Sequence, residues 1–179
     1  MKPPVVPLPI LNGQRPILLI FDHTDPAVEL AYERAPLIGG NRVRTVARDS
    51  TDYWIPRLTP VFAVNDGRVI YAREQSDGHA ILIDHLNGWV SMYSRLVHMF
   101  VAPTRNTPIQ APACAGDIIG YVGTPRGTPV TPLRFELWRM TESEDFMPVD
   151  PILFIRRWQH VDWRDAQLAR AANDARSPS

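Results

Sequence analysis

Histidine is the residue type in this chain that is best suited to hold a catalytic metal, and the 179 residues contain five of them. A catalytic zinc site needs three protein ligands and an open fourth position for a water molecule. No two of the histidines have the spacing of a zinc site; they are His23, His79, His85, His98 and His160. His23 has acidic neighbours in Asp22-His23-Thr24-Asp25, but Asp25 followed by Pro26 is also the pattern of a helix start. The sequence therefore predicts no metal and no cofactor.

Short turn and strand motifs follow one another from Arg44 to Phe154. They are Asn65-Asp66-Gly67-Arg68-Val69, Ile83-Asp84-His85-Leu86-Asn87-Gly88, Gly116-Asp117-Ile118-Ile119-Gly120-Tyr121-Val122-Gly123 and Pro148-Val149-Asp150-Pro151. In this order they resemble the lysostaphin-like, LytM-type zinc endopeptidases, which cut peptidoglycan cross-bridges. Each motif is weak alone. Together they imply that family's mainly β fold, an antiparallel β-sandwich of the duplicated hybrid motif.

The positions that would carry zinc chemistry in that family hold other residues here. The segment Thr131-Pro132-Leu133-Arg134-Phe135-Glu136 resembles the end of the family motif Gly-Pro-His-Leu-His-Phe-Glu. Pro132 and Arg134 stand where that motif has its two histidines. The family's ligand aspartate remains as Asp52, while Arg48 replaces its histidine partner. In Met92-Tyr93-Ser94-Arg95-Leu96, which resembles Tyr-Ala-His-Leu, Arg95 replaces a third histidine. A guanidinium stays protonated and has no lone pair for a metal. The resemblance thus implies no catalytic residue and a vestigial groove formed by Arg48, Asp52, Tyr93, Arg95, Pro132 and Arg134.

The three arginines of this groove suggest two uses. If they converge with Asp52, their surplus positive charge would hold an anionic group, such as a peptide carboxylate or an acidic side chain of a partner. The alternative is that they fill space and pair locally with Asp49, Asp52 and Glu136.

The elements that would position the groove follow from periodicity and turn residues. Ile17–Phe21 is predicted as a buried strand and Pro26–Arg34 as a short N-terminal helix. Asn87-Gly88 between two alternating runs predicts a hairpin. Val161–Ala175 has the spacing of an amphipathic C-terminal helix. We expect three regions: a proline-rich extension over 1–42, a LytM-peptidase-like β domain over 43–155, and a helix with a tail over 156–179.

Composition excludes several classes of partner and compartment. A formal net charge of +0 and a pI of about 7.0 argue against binding to nucleic acid or to an anionic membrane through bulk charge. Cys114 is the sole cysteine, so no intrachain disulfide can form. The N-terminal residues lack the apolar run of a signal peptide, and Ile17–Phe21 is too short to cross a bilayer. We expect a protein made in the cytoplasm, without membrane insertion.

These observations favour a non-catalytic structural or adaptor subunit that binds protein partners in a larger assembly. A phage tail or contractile injection machine is such an assembly, because it is built from subunits without export signals. One alternative is a regulator of cell-wall hydrolases or a peptidoglycan-binding module. A second alternative is an active peptidoglycan endopeptidase in which His98 or His23 has become a zinc ligand beside Asp52.

Overall fold

The computed structural model describes residues 2–19, 25–33, 53–56, 58–100, 111–122 and 132–175. Within these residues it has twelve strands and two helices. The strands are β1 (Ile17–Leu19), β2 (Val28–Glu33), β3 (Tyr53–Trp54), β4 (Thr59–Phe62), β5 (Gly67–Gln75), β6 (Gly78–Asp84), β7 (Trp89–Leu96), β8 (His98–Met99), β9 (Ala111–Ala113), β10 (Ile118–Val122), β11 (Leu133–Met140) and β12 (Phe146–Val149). The helices are α1 (Ile152–Ile155) and α2 (Trp163–Asp174).

The strands form two antiparallel sheets. The nine-stranded sheet has the order β1-β2-β11-β7-β6-β5-β9, with β12 beside β11 and β3 beside β2, and the three-stranded sheet has the order β4-β10-β8. The main core includes buried residues of both sheets, among them Val61 of β4, Ile83 of β6 and Phe135 of β11. The prediction of a mainly antiparallel β fold is confirmed.

The Asn87-Gly88 hairpin is also confirmed, and it joins β6 to β7 through residues 85–88. Leu86 has a φ of 58° and Gly88 a φ of 81°, so two residues of the turn are in the left-handed region. The Asp84 carboxylate accepts the Leu86 N–H at 2.8 Å and fixes the start of the turn.

The predicted helix over Pro26–Arg34 is wrong, because Val28–Glu33 forms strand β2. β2 pairs with β1 on one edge and with β11 on the other, and these two ladders satisfy the backbone that a helix would have bonded internally. The Asp25 carboxylate accepts the Ala27 N–H at 3.0 Å without starting a helix. The strand predicted over Ile17–Phe21 is confirmed for Ile17–Leu19, although Ile17 and Leu18 are half-buried and not fully buried as predicted; the remaining residues lie outside the described part of the chain.

The predicted C-terminal helix is confirmed as α2, and it packs on its own domain. Ala166 is fully buried in a small cluster with Val5, Phe62, Ile118 and Tyr121. Leu168, which the helical spacing of Val161, Leu168, Ala172 and Ala175 predicts to lie on the apolar side of this helix, is instead 71% exposed. Neither helix of the described residues is long and apolar enough to cross a membrane. The three-region division stays a prediction, although β2 of the N-terminal extension is hydrogen-bonded into the large sheet.

Candidate functional site

Arg134 lies near the start of β11, between β2 on one side and β7 on the other. Its cross-strand neighbours are Glu29 of β2 and Ser94 of β7. Side chains directly opposite each other across neighbouring strands share one face of a sheet. Arg134, Glu29 and Ser94 therefore share a face, and the alternation along β11 places Glu136 on it as well.

Two carboxylates hold the Arg134 guanidinium. Its Nη1 and Nη2 atoms each lie 2.7 Å from an oxygen of Asp25, which makes a bidentate ion pair. Its Nε and Nη2 atoms also donate to Glu136 Oε1 at 3.2 and 3.1 Å, and Trp138 Nε1 donates to the other Glu136 oxygen at 3.0 Å. The Arg134 hydrogen bonds lower the pKa of Asp25, and Asp25 in turn raises the pKa of Arg134. The guanidinium is thus fixed in its charged form.

Arg95 reaches the same face through a bulge in β7. Ile81 pairs with Tyr93 and His79 with Leu96, so β7 has one more residue than β6 between these pairs. Arg95 occupies the bulge with a φ of 66°. Its Nη1 atom donates to Glu29, and its Nε atom lies 3.4 Å from an oxygen of Asp77.

We call Asp25, Glu29, Arg95, Arg134 and Glu136 the charged cluster. It contains three carboxylates and two guanidinium groups, and the half-exposed Asp77 adds a fourth carboxylate at its edge. Among the described residues the carboxylates thus outnumber the guanidinium groups. The predicted surplus of positive charge also involves Arg48 and Asp52 and stays a prediction. The alternative prediction of local pairing is confirmed for Arg134 and Glu136.

The sequence reasoning missed Asp25 and Glu29 because it assigned their segment to a helix. The signal was the alternation of polar Glu29 and Glu33 with apolar Val28, Leu30 and Tyr32, which indicates a strand with one polar face.

Tyr93 does not line the charged cluster, so this assignment is wrong. It is fully buried on the opposite face of β7, with its ring centre 5.3 Å from that of Phe135. Its hydroxyl accepts the Val64 N–H at 2.9 Å, and burial raises its pKa. Pro132 precedes β11 and is half-buried. The other predicted groove residues, Arg48 and Asp52, lie outside the described part of the chain, as do Asp49 and His23.

The zinc ion that the resemblance implies does not fit the residues at Pro132, Arg134 and Arg95. Proline has no side-chain donor atom, and the two guanidinium groups are protonated and engaged with carboxylates. Across the described ranges, no three histidine, cysteine or acidic side chains lie in a grouping that could hold a metal. His98, proposed as a relocated ligand, is exposed on β8 of the smaller sheet.

A cavity lies on the opposite face of the large sheet from the charged cluster. It has a volume of about 250 Å³ and is lined by Pro4, Val64, Asn65, His85, Asn87, Trp89, Leu137, Phe154 and Trp158. His85 Nδ1 lies 2.8 Å from the Asp66 carbonyl oxygen, so this nitrogen carries the proton. Its Nε2 atom then accepts from the Ser91 hydroxyl at 2.9 Å. Both ring nitrogens are satisfied within the protein, which gives His85 a structural role.

Comparison with known proteins gives the chain its family. The family model described as "Peptidase family M23" matches residues 47–151. Over 112 residues the chain is 30% identical to the cell division protein DipM of Caulobacter vibrioides, covering 61% of this chain and 17% of DipM. The solution structure of lysostaphin superposes with a TM-score of 0.54 at 16% identity, over 85% of this chain and 54% of that one. The catalytic domain of lysostaphin from Staphylococcus simulans gives a TM-score of 0.44 at 24% identity, over 58% and 75%.

The chain thus spans less than a fifth of the length of DipM and about half of the lysostaphin structure. The family match covers more than half of this chain, from before β3 to the end of β12, and includes Arg95 and Arg134. The superposition on lysostaphin agrees in fold. The chain belongs to peptidase family M23.

Proposed function

We propose that this chain is a non-catalytic M23 domain that acts by binding protein partners, as a structural or adaptor subunit. The observation that carries the proposal is the bidentate ion pair between Arg134 and Asp25. It stands at the position on β11 where the resemblance expects a zinc-binding histidine.

The chemistry of the ion pair opposes metal binding at this position. A zinc-bound water becomes a nucleophile at neutral pH only when three neutral or anionic ligands hold the metal. Here Arg134 is permanently cationic, and its five N–H groups all point outward as donors. A dication placed beside it would be repelled, and the nearest carboxylates already accept hydrogen bonds from Arg134.

The origin of the carboxylates supports the same reading. Asp25 and Glu29 lie before residue 47, where the family match begins, whereas Arg95 and Arg134 lie inside it. Strand β2, which carries Glu29, extends the large sheet beside β11. The arginines inside the family match and the carboxylates in the segment before it therefore complement each other in position and charge. This arrangement makes the former catalytic face an attachment site for the chain's own N-terminal segment.

The similarity to a cell division protein favours a role at the cell wall as a second candidate. In that setting the domain would regulate wall hydrolases or bind peptidoglycan without cutting it. Incorporation into a phage tail or an injection machine, after synthesis in the cytoplasm, stays a prediction. Both roles use binding surfaces of the domain and neither requires a metal.

A hydrolysis assay tests the non-catalytic assignment. The purified chain is incubated with peptidoglycan sacculi and with a pentaglycine peptide, with zinc added, and lysostaphin serves as the active control. We expect no release of soluble fragments above the level of buffer alone. Zinc-dependent cleavage that Asp52→Ala abolishes would show that the chain is an enzyme with relocated ligands.

A further inference from the structure

We propose that the hairpin end of the large sheet is a docking surface for a basic segment of a protein partner that carries apolar side chains. The surface consists of an apolar patch, formed by Leu86, Met140 and Phe146, and an acidic turn over residues 141–145. The proposal rests on the proposed binding function and names the surface that would perform it.

The apolar patch is built from three neighbouring pieces of backbone. Met140 ends β11 and pairs directly with Phe146 at the start of β12. The Met140 N–H donates to the Gly88 carbonyl at 2.7 Å, which joins this pair to the hairpin turn that carries Leu86. Met140 is 45% exposed, Phe146 47% and Leu86 61%. Large apolar side chains exposed together on one surface are a feature of interaction sites.

The turn between β11 and β12 gives this surface its charge. Residues 140–151 contain four acidic side chains, Glu142, Glu144, Asp145 and Asp150, and no lysine or arginine. Hydrogen bonds within the turn fix its shape: the Thr141 N–H donates to the Asp145 carbonyl at 2.8 Å, and the Ser143 hydroxyl donates to the Asp145 carboxylate. The acidic groups are thus held beside the patch without a cation from their own segment. A partner that supplies lysine or arginine would match them.

Arg139, the basic residue of β11 nearest in sequence to the acidic turn, lies on the other face of the sheet. The guanidinium of Arg139 lies over the Trp89 ring, with its carbon 5.6 Å from the ring centre. Met140 and Phe146 lie on the same face of the sheet as Arg134, whereas Arg139 alternates to the other face. The face that carries the patch therefore has an apolar centre and an acidic border.

The edge of β12 favours docking by side chains over addition of another strand. Pro148 lies in the middle of β12 and has no N–H to donate to an added strand. A partner helix or loop that places apolar side chains on the patch and cations on the turn satisfies both features of the surface.

The test uses a fluorescent helical peptide of leucine and lysine as the probe, with the full chain as receptor. Three control peptides accompany it: glutamate replaces lysine, serine replaces leucine, or the same residues are scrambled to remove the apolar stripe. The receptor variants are Phe146→Ser and Glu142→Gln/Glu144→Gln. Leu168→Ser serves as a matched control, because Leu168 is an exposed leucine on α2, far from the turn in sequence. Anisotropy measures affinity at low and high salt.

We expect Phe146→Ser to weaken binding about tenfold, the glutamine pair to remove most of its salt dependence, and Leu168→Ser to leave affinity unchanged. The three control peptides should bind weakly or not at all. Equal losses for Phe146→Ser and Leu168→Ser, or equal binding of the scrambled peptide, would overturn the proposal. So would a concentration-dependent dimer that Phe146→Ser abolishes, because the patch would then join two copies of the chain. None of these results depends on zinc or hydrolysis, so the docking surface and the non-catalytic assignment fail independently.

Discussion

Replacing Arg134 with alanine should destabilise the domain, because two carboxylates would lose their cation. The Arg134 side chain is 27% exposed, that of Asp25 31% and that of Glu136 only 8%. A hydrogen bond to a charged group contributes about 1.5–3 kcal/mol, and partial exposure brings the Asp25 pair toward the lower end of that range. Glu136 keeps its hydrogen bond from Trp138, which limits its loss. The free energy of unfolding should therefore fall by about 2–3 kcal/mol, which corresponds to a decrease of roughly 4–12 °C in Tm for a chain of this size.

Urea denaturation followed by tryptophan fluorescence measures this loss, and a double-mutant cycle assigns it to the pair. Arg134→Ala, Asp25→Asn and the double variant should give a coupling energy of about 1–2 kcal/mol. Arg139→Ala is the matched control on the same strand, because Arg139 is exposed and its guanidinium lies over the Trp89 ring. This variant should cost about 0.5–1 kcal/mol.

The pH dependence of the free energy of unfolding of the same variants tests the ion pair independently. The pKa of Asp25 in the folded state lies below its ordinary value of 3.8. The unfolded state therefore binds more protons in acid, and the stabilisation by the pair is full above that value and is lost as pH falls through the folded pKa. Arg134→Ala should reduce the loss of unfolding free energy at acid pH, which is called the acid limb below. Additive energies in the cycle, together with an unchanged acid limb, would refute the view that Arg134 and Asp25 form a stabilising pair.

Four further variants test three other parts of the structure. Gly78→Ala should lower the free energy of unfolding by about 2–3 kcal/mol, because the φ of Gly78 is 132° and a Cβ would lie 2.8 Å from the Leu96 carbonyl oxygen. An unchanged urea midpoint would contradict the backbone geometry beside the β7 bulge. Burial lowers the pKa of His85 below 6.5, so the contribution of His85 to stability is lost as pH falls from about 6.5. His85→Gln should therefore reduce the dependence of Tm on pH in thermal melts at about pH 5 to 7. An identical dependence in the variant would refute this. Ala166→Leu should lower the free energy of unfolding by about 1–3 kcal/mol by overpacking, whereas Leu168→Ala should lower it by less than about 0.5 kcal/mol. A larger loss for Leu168→Ala than for Ala166→Leu in urea denaturation would mean that α2 buries its other face.

The sequence allowed the β fold and the hairpin to be predicted because their signals are local. Asn87-Gly88 needs only the backbone freedom of its own residues, and the alternation on either side fixes the strands. The N-terminal segment was predicted incorrectly because Val28, Ala31 and Tyr32 fit a helical face as well as a strand. Pairing with β1 and β11 decides between the two, and such tertiary pairing has no local signal.

The charged cluster was predictable in part for the same reason. The resemblance puts Arg95 and Arg134 at positions where the family motifs have histidines, and the pairing of Arg134 with Glu136 follows from their spacing along one face of a strand. The partners Asp25 and Glu29 come from a segment more than sixty residues away from either arginine. The bulge that turns Arg95 to the cluster and leaves Tyr93 in the core depends on a register shift against β6. The prediction assigned both residues to one groove because both belong to the segment that resembles Tyr-Ala-His-Leu.

We propose that the Arg134–Asp25 ion pair stands where the family motif has a zinc ligand, and the zinc content of the purified protein tests this proposal. The chain is saturated with zinc, dialysed extensively and measured by mass spectrometry of the metal, with lysostaphin treated in parallel. We expect a zinc content near that of the dialysis buffer, which does not change when Asp52 is replaced by alanine. Retention of about one zinc ion per chain, lost in Asp52→Ala, would contradict it.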